Sequence, residues 1–280
     1  MKLRKATVAA AALLLPLTAA AAGCGSGDGG GQTGEDKDKI TVGIKYDQPG
    51  IGLKTPDGEY TGFDVDVATY IAKQLGYQPE QIVWKEAKSA DRETLLQRGD
   101  VDFIAASYSI NDERRKKVDF AGPYLLAHQD VLVRADDDSI TKPADLNNRK
   151  LCSVTGSTSA QNIKTRIAPQ AQLQEYGGYS ECLTGLENKA VDALTTDDSI
   201  LAGYASQDQF KGKFKLGGFK LSNENYGIGV PKGDSELKNQ INAALEKMVA
   251  DGTWEAYVKK NFGPAGYKNE PPPKIGVVVS

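Results

Sequence analysis

The chain has little of what metal enzymes, hydrolases and nucleic-acid binders depend on. Its 280 residues include one histidine, His128. That leaves little room for a histidine-based metal centre or a Ser-His-Asp relay. There are three cysteines, Cys24, Cys152 and Cys182, and none is in a Cys-X-X-Cys spacing, which argues against a metal or redox pair. Basic residues number 34 against 37 acidic ones, a formal charge of −3. A mildly acidic chain has no surplus to draw a phosphate backbone, so nucleic acid is not an expected partner. No cofactor is expected either. The long apolar run that stands out, Val8 to Ala22, lies near the amino terminus.

Lys2, Arg4 and Lys5 precede that run, and Ala21-Ala22-Gly23 closes it directly before Cys24. This is the layout of a signal peptide over residues 1–23. Small residues before a cysteine resemble a lipoprotein cleavage site, with Cys24 as the lipidated first residue, although Ala21 stands where such sites prefer Leu. Ordinary secretion with an incidental cysteine is the other reading. A spanning helix is disfavoured, because the run is short and is followed by Gly. Removing the leader leaves 31 basic against 37 acidic residues, or −6. Residues 24–39 are Gly-rich and polar, and read as a flexible tether. The expected place is the outer face of the cell membrane, held by the lipid alone. At the far end, residues 265–280 carry Pro271-Pro272-Pro273 and are expected to lie outside the fold as a flexible tail.

The remainder is long enough for two modest domains. Val101 to Ala106 reads as a buried strand, followed by the hydroxylic Ser107 and Ser109. Asn111 and Asp112 then look like a helix start, with Arg114 in the first turn. Hydroxyls, backbone N–H groups and a two-pointed guanidinium together suit a carboxylate. The competing reading is a solvated charge run from Glu113 to Lys117. Ile40 to Lys45 alternates as a strand, and its carboxyl end is where ligands sit in open α/β sheets. Lys45 therefore faces either the crevice or the surface.

Phe63, Val67, Ile71 and Leu75 repeat at helical spacing before Gly76. Ile82 to Trp84 is a second strand. Arg92 falls in the first turn of the next helix, an unfavourable place for a cation. It needs solvent, its acidic neighbours Asp91 and Glu93, or an anionic ligand. Gln129 to Arg134 reads as a crossing between lobes. Lys150 to Val154 is a strand running into Thr155-Gly156-Ser157-Thr158-Ser159, a second hydroxylic loop that can bind a carboxylate oxygen or be a plain turn. Val191 to Thr196 is a strand, and Asp197 at its end suits an ammonium or caps the helix that follows. Tyr226 to Val230 is the return crossing. Ser235 to Gly252 is an amphipathic helix with Leu237, Ile241, Leu245 and Val249 on one stripe, and Trp254, Tyr257 and Phe262 read as core.

The order and spacing of several motifs carry a family resemblance. They are Gly62-Phe63-Asp64-Val65-Asp66-Val67, Asn111-Asp112-Glu113-Arg114-Arg115 with Val118-Asp119-Phe120 and Pro123-Tyr124, Val191-Asp192-Ala193, and Tyr226-Gly227-Ile228. From about Ile40 to Gly263 the chain resembles the solute-binding proteins of polar amino-acid ABC transporters, bacterial family 3, and within them the glutamate/aspartate-binding lipoprotein branch. The resemblance implies an α/β fold of two lobes, periplasmic-binding-protein-like of type II, with two crossing strands forming a hinge. Lobe 1 would be residues 40–130 plus 226–264, and lobe 2 residues 131–225. It implies a monomer without enzymatic activity that captures free L-glutamate or L-aspartate and delivers it to the permease subunits of an ABC importer.

Carried over residue by residue, Arg92 and Lys45 meet the ligand's side-chain carboxylate. Arg114, with Ser107 and Ser109 near it, takes the α-carboxylate opposite Ser157 and Thr158. Asp197 takes the ammonium, and Thr196 stands where many relatives carry a larger polar residue. Lys45, Arg92 and Arg114 total +3 against −1 from Asp197, a surplus that suits an acidic ligand. Glutamine or another polar amino acid is the alternative ligand. An exported small-molecule dehydratase on the same fold, or an amino-acid sensor, is the alternative class. For an exported chain the default for Cys152 and Cys182 is a disulfide, with two buried thiols as the other reading.

Overall fold

The computed structural model describes residues 39–279. The expected leader, Cys24 and nearly all of the 24–39 tether lie outside the described residues. Among the described residues no helix is long and apolar enough to cross a membrane.

The chain opens with β1 (Ile40–Ile44), β2 (Asp47–Gln48), β3 (Gly52–Lys54) and β4 (Tyr60–Thr61). Next come α1 (Phe63–Gln74), β5 (Ile82–Glu86), α2 (Arg92–Gln97), β6 (Phe103–Ile104) and α3 (Asp112–Arg115). The long β7 (Asp119–Arg134) leads to β8 (Lys150–Val154), α4 (Thr158–Asn162), β9 (Gln172–Tyr176), α5 (Tyr179–Glu187) and β10 (Ala193–Asp197). The chain finishes with α6 (Asp198–Ala205), β11 (Phe214–Leu216), β12 (Ser222–Val230), α7 (Ser235–Ala250) and α8 (Thr253–Phe262).

One sheet runs through the protein in the order β5-β1-β6-β12-β7-β10-β8-β9, with β11 also on β7. Each flank is parallel: β1 pairs with β5 and β6 on one side, β8 with β9 and β10 on the other. The two central strands are antiparallel and bridge the flanks, β12 lying along β7 from Ser222↔Gln129 to Val230↔Asp119. This is the expected α/β architecture of two lobes joined by two crossing strands. The expected lobe limits, 130/131 and 225/226, fall inside these two strands. Because both flanks are parallel, strand ends from each side converge on the seam: Lys45 follows β1, Ser107 follows β6, Gly156 follows β8, and Asp197 ends β10. That is the switch-point geometry where open α/β sheets place ligands.

Burial follows the patterning. Ile40, Val42 and Ile44 are buried on β1, and α1 buries Phe63, Val67 and Ile71 against them. The far side has its own cluster of Val131, Val133, Leu146, Leu151, Ile163 and Ala193. Three sequence expectations change. The first crossing is a 16-residue strand starting at Asp119, so the run read as helical charge shortens to the single turn of α3. The buried stripe of α7 is Ile241, Ala244, Leu245 and Met248, while Val249 faces out, 39% exposed. The carboxyl-terminal segment is packed on the fold rather than outside it. Tyr267 donates to Asp198 at 2.9 Å, Gly276 N–H donates to Gly122 O, and Val279 exchanges two hydrogen bonds with the Asn225 side chain. Its prolines only keep it from continuing a helix.

Cys152 and Cys182 form a disulfide, with Cα atoms 5.5 Å apart, tying β8 to α5 across 30 positions of sequence. Closing a loop of that length in the unfolded chain is worth about 3–4 kcal/mol. Replacing both cysteines with alanine is expected to lower the free energy of urea unfolding by about 2–4 kcal/mol while leaving the far-ultraviolet circular dichroism unchanged. An unchanged unfolding midpoint would remove the bridge from the list of stabilising contacts.

Candidate functional site

The strongest feature at the seam is a pair of buried guanidinium groups over one aromatic ring. Arg92 Cζ lies 4.1 Å and Arg114 Cζ 5.1 Å from the centroid of Tyr108. Ser-Tyr-Ser therefore supplies a face for cations as well as hydroxyls. Arg92 is 1% exposed. Its Nη1 donates to Ala106 O at 2.9 Å and Ser107 O at 3.3 Å. Its sequence neighbour Glu93 turns instead to Arg114 Nε, at 3.6 Å. Arg92 has no ion pair among the described residues, and its buried Nε has no hydrogen-bond partner. Solvent and acidic neighbours, two of the three accounts the sequence allowed for an arginine in this helix turn, are thereby set aside.

Arg114 reaches across the seam. Nη1 donates to Ser109 O at 2.7 Å and Nη2 to Gly156 O at 3.0 Å, on the loop after β8. Burial and the charge of Arg92 hold its pKa down to about 10. Lys45 is buried too, and its Nζ donates to Ser89 Oγ at 2.8 Å. With Asp47, Glu86 and Tyr179 it lines a cavity of about 220 Å³. Ser109, Arg114, Ser157 and Thr158 line a larger groove of about 770 Å³. Thr158 donates to Glu224 Oε2 at 2.8 Å. The Ser157 hydroxyl caps α4 by accepting from Ala160 N–H at 3.0 Å. Ser107 donates its hydroxyl to Gln48 Oε1 at 3.0 Å.

Asp197 sits at the end of β10, where its side chain does not cap α6. The capping work falls to Asp198, whose Oδ1 accepts from Ser199 N–H and His128 N–H. Asp197 Oδ2 accepts from the Tyr226 hydroxyl at 2.5 Å. Burial pushes the Asp197 carboxyl well above the ordinary range and the charge of Glu224 pushes it further, while the Tyr226 bond pulls the other way. Thr196 is buried beside it, and its hydroxyl, like Arg92 Nε, has no hydrogen-bond partner. Of the nine expected positions, Ser109, Arg114, Ser157 and Thr158 line one groove, Lys45 lines the smaller cavity, and Arg92, Ser107, Thr196 and Asp197 are buried without lining either.

Three acids left out of the charge count stand in this neighbourhood, Asp64, Glu93 and Glu224, each engaged with the groups above. The count of +3 against −1 therefore does not describe the site. Asp64 had a visible signal, since a carboxylate inside the apolar start of a helix needs a buried partner. Gln48, Tyr179 and Tyr226 had none, because only the fold brings loops and crossing strands together.

The two halves touch around this site. Tyr179 N–H donates to Asp47 Oδ2 at 2.8 Å, and the Tyr204 hydroxyl donates to Asp47 O. Gly203 on α6 faces Pro49 so closely that a Cβ would stand 2.1 Å from the Pro49 carbonyl oxygen. A Cβ on Gly156 would stand 2.8 Å from Ala90 Cα. The bare Cα atoms are what let these surfaces meet.

The profile of the bacterial extracellular solute-binding proteins, family 3, matches residues 40–264. Glutamate-binding protein GluB of Corynebacterium efficiens is 49% identical over 234 residues, spanning 80% of this chain and 79% of that protein. The ABC transporter glutamine-binding protein GlnH of Bacillus subtilis is 40% identical over 227 residues, 81% of this chain and 82% of that protein. Among solved structures, an ancestral arginine-binding protein bound to glutamine matches with a TM-score of 0.75 and 36% identity, covering 81% of this chain and 98% of that one.

The site carries a pH dependence that stability measurements can read. Burial, then the charge of Arg92, lowers the Lys45 ammonium to about 7, against the pull of Asp47. Unfolded, this lysine titrates near 10.4. Between those values the unfolded chain binds more protons than the folded one, so this group makes stability rise with pH from 7 towards 10. Below pH 7 both states are protonated and the cost of burying the charge is constant. Lys45→Met is therefore expected to gain most over the parent at pH 7. The gain should shrink by up to about 1.4 kcal/mol per pH unit as pH rises. Urea unfolding at pH 7, 8 and 9 tests this, and a constant difference across the series would refute a depressed Lys45.

Proposed function

We propose a function from one premise: the chain belongs to the bacterial extracellular solute-binding proteins, family 3. Its fold is the two-lobe, type II arrangement of periplasmic amino-acid-binding proteins. On that footing the chain captures a free acidic amino acid, glutamate first and aspartate second, and hands it to the permease of an ABC importer. It works as a monomer at the outer face of the membrane, anchored through Cys24. It binds its ligand and does not transform it.

The observation that carries the ligand class is Arg92. A fully buried guanidinium without a counter-ion is costly, and a ligand carboxylate both neutralises it and satisfies its unpartnered Nε. Glutamate, rather than another anion, is favoured by the extent of similarity to a glutamate-binding protein. In this reading Arg114 and Ser109 take the α-carboxylate together with the loop at Ser157 and Thr158. That loop contributes through backbone N–H groups, since its hydroxyls are engaged elsewhere. Asp197 takes the ammonium, whose positive charge opposes the burial and the Glu224 charge that raise its carboxyl. Ser107 and Thr196 shape the pocket beside Arg92 and Asp197, and Lys45 completes the side-chain subsite.

The chain closes over its ligand by rotation about β7 and β12, lobe 1 carrying Pro49 and lobe 2 carrying Gly203. An exported dehydratase on this fold would need a general base over the substrate. Asp197 is the available candidate, and its commitment to an ammonium makes it a poor one.

Calorimetric titration of ligand-stripped protein with glutamate, aspartate, glutamine and arginine tests the reading. Glutamate is expected to bind best. Arg92→Ala should lose about 10- to 150-fold in glutamate affinity and much less for glutamine. Tightest binding of glutamine or arginine by the parent would refute the assignment of Arg92, and no binding of any amino acid would refute the function itself.

Closure makes a separate prediction. Gly203→Ala favours helix α6 by about 1 kcal/mol, and opening of the free protein about β7 and β12 relieves the clash of the new methyl with the Pro49 carbonyl, so it should not lower the melting temperature without ligand. It should nevertheless weaken all ligands by a common factor of about tenfold or more, because the added methyl holds the halves apart. Unchanged affinity would show that Pro49 and Gly203 do not meet in the bound state.

A further inference from the structure

Asp64 is one of the buried charges that the reading above leaves without a role. Asp64 is in the first turn of α1 and wholly buried. Both of its oxygens are taken: the Tyr124 hydroxyl donates to Oδ1 at 2.6 Å and Ser107 N–H to Oδ2 at 2.7 Å. The peptide group supplying that N–H is the one whose carbonyl, Ala106 O, accepts from Arg92 Nη1 at 2.9 Å. In a trans peptide the N–H and C=O point in opposite directions. Asp64 and Arg92 therefore hold the same peptide plane from its two sides. Beyond it the chain turns through Ser107 at φ 43°, a conformation that a residue with a side chain adopts only when held there. This turn brings the Ser107 carbonyl round to the same Nη1, at 3.3 Å.

We propose that Asp64 is a positioning residue for Arg92: by fixing the Ala106–Ser107 peptide and the turn after it, Asp64 occupies Nη1 with two carbonyls and aims the rest of the guanidinium at the ligand's side-chain carboxylate. This inference rests on the reading of Arg92 as the group that meets that carboxylate. Asp64 touches no ligand itself. The rival account is purely structural. An acidic residue in the first turn of α1 is favourable for the helix, and Tyr124 ties it to β7, so it would then support the whole lobe and all ligands equally. A third effect runs the other way. Removing a negative charge near Lys45 and Arg92 strengthens the attraction for any anion.

Two substitutions separate these effects. Asp64→Ala and Asp64→Asn remove the same charge, but the asparagine keeps an acceptor for Ser107 N–H and a group for Tyr124. The readout is the preference for glutamate over glutamine, measured by calorimetry in the parent and both variants, with melting temperatures alongside. The asparagine variant is expected to keep the parental preference to within about threefold. The alanine variant is expected to lose at least about tenfold of it, chiefly through glutamate. An equal loss of both ligands in Asp64→Ala, a preserved preference there, or an asparagine no better than alanine each overturns the proposal. Should Asp64→Ala fail to fold, Asp64→Ser is compared with Asp64→Asn in its place, since a shortened hydroxyl cannot serve both partners. A parent with no preference for glutamate, or an Arg92→Ala variant that keeps the preference, refutes the reading of Arg92 before any Asp64 variant is made, and this inference falls with it.

Discussion

Two positive charges buried over the ring of Tyr108 set the terms for the rest of the structure. Neither Arg92 nor Arg114 can be taken out of water cheaply, and Arg92 is taken out with no ion pair among the described residues. What offsets the cost is a set of backbone carbonyls: Ala106 and Ser107 for Arg92, Ser109 and Gly156 for Arg114. Carbonyls are free to serve only where strands end and the ladder stops claiming them. A sheet with two parallel flanks meeting at antiparallel centre strands delivers such ends from both sides to one place. The architecture and the electrostatics are thus one requirement.

The acidic side of the site obeys the same constraint with the sign reversed. Asp197 and Glu224 are both buried and close enough for one charge to resist the other. Such a pair favours holding a proton while no cation is near. The phenol of Tyr226 and, at 3.5 Å, the Ser159 hydroxyl donate to Asp197, and Thr158 and Ser222 donate to Glu224, so each of the four carboxylate oxygens has a protein donor. A cation placed between the two would relieve the repulsion that raises the Asp197 carboxyl. Arg114 lies within electrostatic reach of both acids, so the basic and acidic sides of the site are coupled.

Much of this is legible in the sequence. Alternation along Ile40 to Lys45 and the 3.6-residue repeat from Phe63 mark β1 and α1, and the hydroxylic loops mark the ends of β6 and β8. Two kinds of feature were not legible. The length of β7 was hidden because Asp119 to Pro123 carries a charge, a Gly and a Pro, which local propensity reads as strand-breaking, whereas pairing with β12 overrides it. The role of side chains was hidden wherever a partner comes from far along the chain. Ser157 and Thr158 looked like ligand hydroxyls, yet one is a helix cap and the other belongs to Glu224, 66 residues away. The carboxyl-terminal prolines showed only that no helix continues, and said nothing of the docking of Tyr267 and Val279.

Charge counting shows most clearly where a sequence argument runs out. Summing Lys45, Arg92, Arg114 and Asp197 pointed to an acidic ligand, but the folded site also holds Asp64, Glu93 and Glu224, and the surplus disappears. What survives is geometric. Glu93 is spent on Arg114, and Asp64 is spent on Tyr124 and the Ser107 peptide. Each added acid is already engaged, while Arg92 keeps an unpartnered N–H in a dry setting. Net charge governs long-range attraction, but the price of an unmet buried donor is local and is not cancelled by a carboxylate bonded elsewhere. The case for an acidic side chain in the ligand therefore rests on one unsatisfied guanidinium, that of Arg92.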